Sequence, residues 1–398
     1  MCKQCGCGSE VTVHVDAGPH ERRDVFVSMP CEVGECSGHH CVRRLDENGN
    51  VEGQVPSQCV KAPAPCCGEA KGELVWRIDH MAAGERATFV IGDPLEGRPE
   101  AGVRAEVKEA EQADIYVGEQ LFTSYVVREG IARPFCYPVY GPGGKLVVRE
   151  VNFPPKEGID HVHHKGIWVA QGDTNGTDNW SEMEGHGRTI NTALQVNSQG
   201  PLFAQIHGTG DWVSNKGAKV LREDTTIRVY NTPDTARVMD FTTRWTAAYG
   251  GVFFGDTKEA GTVSIRLMES MEERRGGTIR NAFGAVGEAE NWGKSAPWVD
   301  YYGPVEDRIC GVAIMDHPTN LRYPTTWHVR SYGLFTANQW GLHDFTGDHS
   351  VRGDYALPAG QSLCFRFRLY IHENDTLAAD VSGKYLDWIF PPTVSVAE

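Results

Sequence analysis

Apolar and polar residues alternate along much of the chain, as at Val11, Val13 and Val15 near the N-terminus. A period of two predicts half-buried β-strands. Further strands are predicted at Leu74–Ile78, Ile115–Val127, Lys145–Val151, Ile167–Gln171, Leu202–His207, Thr225–Tyr230, Arg237–Trp245, Thr262–Met268, Ile309–Met315, Trp327–Leu334 and Leu363–Ile371. Helical periodicity is scarce, and it is clearest after Asp375, where Leu377, Val381, Tyr385 and Trp388 would share one face.

Many strands without intervening helices predict an all-β protein built on a large antiparallel β-sandwich. The turn residues at positions 93–97 predict a domain boundary. Residues 1–95 would then form a small β module with a cysteine-rich, metal-binding insertion. Residues 96–398 would form the large β-sandwich domain with the C-terminal helix.

The chain is acidic, with 38 Lys and Arg against 53 Asp and Glu and a formal net charge of −15. This charge repels phosphate backbones and anionic membrane surfaces, so we expect no nucleic-acid or membrane partner. The sequence contains no apolar run of membrane-spanning length, and its N-terminus does not resemble a secretion signal. These features predict a cytoplasmic protein, and they leave the oligomeric state open.

Cysteine is concentrated at the N-terminus, because nine of the 12 cysteines lie within the first 67 residues. In a reducing compartment such a cluster favours metal binding over disulfides. A structural zinc is therefore predicted, with disulfides, an iron–sulfur cluster and free thiols as alternatives. The candidate ligands are Cys2, Cys5, Cys7, Cys31, Cys36 and Cys41.

Three histidines, His161, His163 and His164, lie immediately before the predicted strand Ile167–Gln171. In an extended chain the first and second would project to one side and the third to the other. We take all three as catalytic candidates and Lys165 as a substrate-binding candidate. The segment predicts a divalent-metal site or metal-free acid–base chemistry, and purely structural hydrogen bonding is the alternative.

A polar loop with an indole follows this strand. Asp173 is a further catalytic candidate, and Asn175, Asp178 and Trp180 are substrate-binding candidates. Carboxylate and amide groups bind sugar hydroxyls, and an indole packs on the apolar face of a sugar ring. An ordinary polar turn is the alternative interpretation.

A second segment rich in charged and aromatic residues runs from Met315 to Tyr332. Its candidates are His317, His328 and Arg330 for catalysis and Asn320, Arg322 and Tyr332 for substrate binding. A strand over Trp327–Leu334 would place His328, Arg330 and Tyr332 on one face, where they could converge on an anionic or carbonyl group. A structural cross-strand ladder is the alternative. We expect this segment to line one pocket together with His161, His163 and Asp173.

These motifs resemble those of a bacterial family commonly labelled "methane oxygenase". The resemblance is carried by H-V-H-H-K-G-I-W at residues 161–168, D-T-K-E-A-G at residues 256–261 and D-H-P-T-N at residues 316–320. The label does not fit this sequence, because a membrane-embedded copper oxygenase needs spanning helices. The resemblance implies a β-sandwich of the sugar-mutarotase type and carbohydrate-related chemistry by analogy, without established catalytic residues.

The leading functional hypothesis is a carbohydrate-active enzyme with a small-molecule carbohydrate as its partner. A lyase, hydrolase or epimerase acting on a sugar, glycoside or oxidised keto sugar would use histidine-mediated acid–base chemistry, with or without a metal near His161. A non-catalytic carbohydrate-binding protein and a structural or assembly protein are the alternatives.

Overall fold

The computed structural model describes residues 10–31, 40–61, 72–94 and 102–397, and strands dominate these ranges. The strands are β1 Val11–Asp16, β2 Arg22–Cys31, β3 His40–Leu45, β4 Val51–Val55, β5 Ser57–Lys61, β6 Gly72–Met81, β7 Arg86–Pro94, β8 Val103–Lys108, β9 Gln112–Val117, β10 Gln120–Val126, β11 Phe135–Val139, β12 Ile167–Gln171, β13 Arg188–Ser198, β14 Phe203–Val213, β15 Lys219–Tyr230, β16 Ala236–Thr246, β17 Val252–Phe254, β18 Ala260–Arg266, β19 Thr278–Asn281, β20 Trp298–Val305, β21 Arg308–Asp316, β22 Thr326–Val329, β23 Leu334–Asn338, β24 Tyr355–Leu357, β25 Ser362–Glu373 and β26 Thr393–Val396. The α-helices are α1 Glu288–Asn291, α2 Leu342–Thr346 and α3 Val381–Ile389, and 3₁₀ turns occur at Pro142–Gly144, Glu269–Met271 and Glu273–Arg275. None of the helices in these ranges has the length and apolar character needed to cross a bilayer.

Backbone contacts divide the chain into two compact units. The N-terminal unit comprises the described residues up to Arg104, the segment Asn197–Ala204 and the chain from Ser382 onwards. The larger unit comprises Ala105–Val196 and Gln205–Val381. The boundary predicted near residue 95 divides the chain once, whereas the N-terminal unit also contains two later segments.

The N-terminal unit is built from two small sheets, with strand orders β26-β1-β7-β3-β4 and β2-β6-β5. Alternate residues of their strands are buried in one apolar core, including Val13, Val15, Val27, Trp76 and Phe89. This is the small β module that the alternation predicts.

The larger unit contains two eight-stranded sheets that form a sandwich. The site sheet has the order β22-β23-β18-β12-β11-β10-β9-β8, and the second sheet has the order β13-β14-β15-β16-β25-β21-β20-β19. The pairing of β16 with β25 is antiparallel throughout, from Ala236 opposite His372 to Thr246 opposite Ser362. The prediction of an all-β fold with large antiparallel sheets is confirmed.

Strand β12 positions the histidine segment within the site sheet. Its bounds are those predicted, all five of its residues are buried, and it pairs with β11 and β18. A strand that is covered on both faces has a nearly continuous apolar sequence, which explains why the bounds of Ile167–Gln171 could be predicted.

Two predicted strands are wrong, because each is a hairpin. The segment Ile115–Val127 turns at Gly118, which has a φ of 56°, between β9 and β10. The segment Trp327–Leu334 turns at Gly333, which has a φ of 87°, between β22 and β23. Glycine adopts this left-handed backbone without strain, so apolar alternation continues through a reversal of the chain. A third predicted strand, Lys145–Val151, forms only isolated bridges such as Val148 with Leu267.

Gly166 enters β12 with a φ of 54°, and a Cβ atom there would lie 1.9 Å from the carbonyl oxygen of Cys136. We expect Gly166→Ala to lower the free energy of unfolding by about 2–4 kcal/mol, because left-handed strain adds to overpacking. Gly176→Ala is the matched control, since Gly176 has a φ of 75° and nothing within 4 Å of the added Cβ. The control variant should be destabilised by backbone strain alone, by about 1–2 kcal/mol. If urea unfolding showed the same loss of free energy of unfolding in both variants, the packing argument would be contradicted.

Candidate active site

The segment from Asp160 to Gly166 is a turn. The backbone N–H of His164 donates to the carbonyl of His161 at 2.9 Å, and His161 has a φ of 43°. The expectation of an extended chain, with His164 on the opposite side from His161 and His163, is therefore wrong. All three imidazole rings lie together, with centroid separations of 4.4 to 5.8 Å.

Two buried arginines hold this turn. Arg149 donates to the carbonyl oxygens of Asp160 at 3.0 Å, His161 at 2.8 Å and His164 at 3.3 Å, and to the Asp160 carboxylate at 2.7 Å. Arg266 donates to Nδ1 of His164 at 3.2 Å and lies 3.4 Å from both oxygens of Asp160. A planar guanidinium can serve several acceptors at once, so these two side chains fix both the backbone and the rings.

Asp160 and His161 form a carboxylate–imidazole pair, with Oδ2 of Asp160 2.8 Å from Nδ1 of His161. Burial raises the pKa of Asp160, but the hydrogen bond from His161 and the charges of Arg266 and Arg149 outweigh it and lower the pKa to about 2. The carboxylate is thus ionised at neutral pH. The His161 side chain is 43% exposed, so its ring remains accessible.

Four aromatic rings are stacked nearly parallel, in the order Tyr332, His161, His164 and Trp168; we call this the ring stack. Successive centroids are 5.5, 4.9 and 5.2 Å apart, and the interplanar angles are 13°, 13° and 18°. The stack runs from the accessible His161 to Trp168, which is 1% exposed. His161 therefore stacks on two rings while its side chain stays 43% exposed.

His163 and His164 are held in the neutral form. Burial, followed by the charges of Arg133 and His161, lowers the pKa of His163 to about 4. Burial and the neighbouring cations, Arg266 among them, lower the pKa of His164 well below its ordinary value. Because Arg266 can only donate, Nδ1 of His164 accepts, and the proton of this neutral ring is on Nε2.

Glu259 is a further acidic group beside the histidines. Desolvation raises its pKa, and the charges of Lys258 and then His161 oppose this shift. The side chain is 45% exposed and lies 3.7 Å from Nζ of Lys258. Glu259 is thus an accessible carboxyl group whose pKa is raised by the surrounding protein.

The structure brings several predicted residues to this site. Tyr332 stacks on His161, and the guanidinium of Arg330 lies 5.6 Å from the Tyr332 ring. Lys165 is buried and contacts both carboxylate oxygens of Glu182 at 2.5 Å. Trp180 contacts His163 with centroids 6.3 Å apart.

Trp180 and Asp178 have roles different from those expected. Trp180 is 2% exposed, so its indole is not the open platform that the loop composition predicts. Asp178 accepts from the backbone N–H groups of Trp180 at 2.7 Å and Ser181 at 2.9 Å. The carboxylate therefore shapes the loop that buries the indole.

Asp173 and Asn175 make hydrogen bonds that stabilise the same loop. Asp173 accepts from the N–H of Gly176 at 2.9 Å, and its carboxylate packs against Gly255. Asn175 accepts from the N–H of Phe253 at 2.7 Å. These are turn-forming contacts of the kind that Asp and Asn commonly make.

His317, Asn320 and Arg322 lie elsewhere in the larger unit. His317 contacts Thr319 at 2.8 Å, and burial, with the charge of Arg366, lowers its pKa to about 4. Asn320 donates to the Asp316 carboxylate and to the carbonyl of Arg366, both at 2.7 Å. Arg322 donates to the carbonyl oxygens of Gln339, Gly353 and Asp354. The contacts of Asn320 and Arg322 are those of loop-bracing side chains.

The predicted shared face of His328, Arg330 and Tyr332 is wrong, because β22 ends at Val329. His328 is buried, and its Nδ1 donates to the carbonyl of Lys258 at 2.8 Å. Arg330 lies in the turn, with Nε 2.9 Å from Glu288. Of these three candidates, Tyr332 belongs to the ring stack and Arg330 lies near its ring.

Arg149 and Arg266 are not among the site residues that the sequence predicts. Glu259 is part of a family motif but is not predicted as a site residue. Arg266 ends the fully buried strand β18, and an arginine at the end of such a strand is the feature that could have identified it. A buried cation needs a partner, so its position indicates a charged or polar site.

No group of three or more His, Cys, Asp or Glu side chains within the described ranges is arranged to hold a metal ion. Of the predicted zinc ligands, Cys2, Cys5, Cys7 and Cys36 lie outside those ranges. Cys31 is disulfide-bonded and Cys41 is a free thiol. The disulfide argues against Cys31 as a thiolate ligand, and the zinc prediction rests on the other cysteines.

The fold and the site define an all-β protein with a histidine and arginine cluster on one sheet of its sandwich. Residues 112–385, more than half of the chain, match the model of a family of unknown function, DUF6807, and the chain belongs to that family. No curated protein matches the chain. The matched range contains the complete ring stack and both buried arginines.

Arg149→Lys should lower the free energy of unfolding by about 2 kcal/mol or more. A lysine keeps the charge but cannot reach the carbonyl oxygens of both His161 and His164 as the guanidinium does. The control is Arg23→Lys, because Arg23 is 64% exposed and contacts only another exposed side chain, Glu21. The control should change unfolding in urea by about 0.5 kcal/mol or less, and a similar loss in both variants would contradict the assignment.

Asp160 should make stability depend on pH below about 4. Its pKa is lowered from 3.8 to about 2 in the folded protein. The ionised carboxylate therefore contributes to the free energy of unfolding above the pKa of the unfolded chain, and this contribution is lost as the pH falls through about 2. We expect Asp160→Asn to be less stable than wild type at pH 6, and the difference in melting temperature to shrink as the pH falls to 2. A difference that stays constant over this range would refute the pairing.

Proposed function

We propose that the protein is an enzyme that acts on a sugar, a glycoside or an oxidised sugar by proton transfer at His161. The observation that carries the proposal is the pair of Asp160 and His161 at an accessible turn. A carboxylate on Nδ1 fixes the tautomer and orientation of an imidazole and stabilises its protonated form, which prepares Nε2 to exchange a proton with a ligand.

Glu259 supports the proposal as a second proton-transfer group. Desolvation raises its pKa above the ordinary value, which is the direction that favours a proton-donating role for this carboxyl beside an accepting His161. An acid and a base with different protonation states are required for epimerisation, for elimination and for glycoside cleavage.

Arg330 and Arg266 supply positive charge beside Tyr332. Their guanidinium carbons lie 5.6 and 4.7 Å from the centre of the Tyr332 ring, which is itself stacked on His161. Removal of a proton beside a carbonyl group creates an enolate-like charge, and nearby cations stabilise it. Arg330 is the more accessible of the two, with a side chain 34% exposed.

The carbohydrate part of the proposal rests on the polar character of the site and on the resemblance to sugar-mutarotase sandwiches, which is an analogy. The chemistry proposed uses protein side chains alone. A divalent metal near His161 remains a separate proposal, and metal analysis of the purified protein tests it.

The test is a panel of hexoses, uronates, aldonolactones and glycosides incubated with the protein in D₂O and followed by proton NMR. This readout detects exchange at carbon, elimination and glycoside cleavage in one experiment. We expect turnover of at least one class, reduced about 10²-fold or more in His161→Phe and in Asp160→Asn. Phenylalanine keeps the ring in the stack while removing both nitrogens.

The matched control is His80→Phe. His80 is also an exposed histidine paired with a carboxylate, Glu21, at 2.7 Å, but it belongs to the N-terminal unit. It should retain wild-type turnover. Turnover that survives in folded His161→Phe would overturn the role of His161, and binding of a sugar without conversion would favour a non-catalytic carbohydrate-binding protein.

A further inference from the structure

Three ring N–H groups beside His163 have no hydrogen-bond partner among the described residues. They are Nε2 of His164 and the indole Nε1 atoms of Trp168 and Trp180. The three residues are 2%, 1% and 2% exposed. Buried donors are nearly always paired in folded proteins, so a group of three in contact indicates an acceptor that the chain does not supply.

All three groups can only donate. An indole nitrogen has no lone pair to offer, and Nε2 of His164 bears the ring proton because Nδ1 accepts from Arg266. The rings are in mutual contact, with centroids 5.2 Å apart for His164 and Trp168, 5.6 Å for His164 and Trp180, and 5.8 Å for Trp168 and Trp180. We call these three residues the donor cluster.

Arg133 is a buried cation near the donor cluster, and Glu182 is the nearest carboxylate to it. Arg133 is 4% exposed and has an unpartnered Nη1, which lies 3.6 Å from the nearest oxygen of Glu182. After burial, the charge of Arg133 is the largest cause of the lowered pKa of His163, and Glu182 opposes this shift. For the lowered pKa of His164, the largest cause after burial is the neighbouring His163, followed by Arg266. An anionic acceptor forms stronger hydrogen bonds with the ring donors than a neutral hydroxyl does, and it also satisfies the unpartnered Nη1 of Arg133.

We propose that the donor cluster and Arg133 bind a carboxylate anion. The carboxylate accepts hydrogen bonds from the ring N–H groups and is neutralised by the guanidinium. His163 is the point of access, because it is half-buried and its ring contacts His164 at 4.4 Å and Trp180 at 6.3 Å. Assigning this carboxylate to a sugar acid that reacts at His161 rests on the proposed function, and anion binding itself does not.

The experiment follows the indole N–H resonances of ¹⁵N-tryptophan-labelled protein during titration. Sodium acetate, sodium glucuronate and sodium chloride are compared at equal ionic strength, with glucose as the neutral counterpart of glucuronate. The resonances are assigned with Trp168→Phe, Trp180→Phe and Trp76→Phe. We expect acetate and glucuronate to shift the Trp168 and Trp180 resonances saturably.

Trp76 provides the internal control, because its Nε1 is also buried and unpartnered but its ring contact is Phe89 in the N-terminal unit. Its resonance should not move. Trp180→Phe should weaken acetate binding about tenfold or more, the scale of losing one hydrogen bond to a charged group. Trp168→Phe gives a second measurement if the first variant is unstable.

The remaining outcomes separate the alternatives. A response to chloride alone, an equal response to glucose, or no saturable shift with any solute would each overturn the carboxylate site. Saturable binding of glucuronate without turnover would leave the carboxylate site standing while the proposed function fails. Turnover of neutral sugars without a shift from acetate would support the function and refute the site.

Discussion

Two positive charges buried side by side are the constraint on which the candidate site depends. Arg149 and Arg266 are 4% and 3% exposed, and each disfavours the charge of the other. Asp160 is the carboxylate that both contact. An uncompensated pair of this kind would be strongly destabilising, so Asp160 is fixed in place, and its second oxygen then fixes the ring of His161. The geometry of the site follows from neutralising these charges.

The sequence predicts the architecture well wherever burial follows a simple period. The alternation identifies β16 and β25 closely, and continuous apolar runs identify β21 and the bounds of β12. It fails at Gly118 and Gly333, where apolar residues continue on both sides of a reversal. Side-chain pattern records which face is buried, but it does not record the direction of the chain, and a positive φ at a single glycine changes that direction.

The candidate site could be predicted only in part, for a physical reason. The density of histidines at residues 161–164 identifies the correct segment, but the positive φ of His161 sets the relation between the rings. Arg149 and Arg266 come from distant positions through sheet register, which one sequence does not reveal. Asp173 and His317 have suitable chemistry, yet the side chain of each hydrogen-bonds a residue of its own loop. Chemical density along the chain is therefore a poor measure of proximity in space.

The stacking of His161 on Tyr332 and His164 has a stereochemical consequence. A ring that stacks on two neighbours and is hydrogen-bonded to Asp160 through Nδ1 rotates little. A proton taken by Nε2 would therefore return from the same atom and from the same side of a bound molecule. Chemistry with this imidazole as sole proton carrier would be suprafacial, favouring migration of a double bond or a carbonyl along one face of the substrate over inversion of a stereocentre.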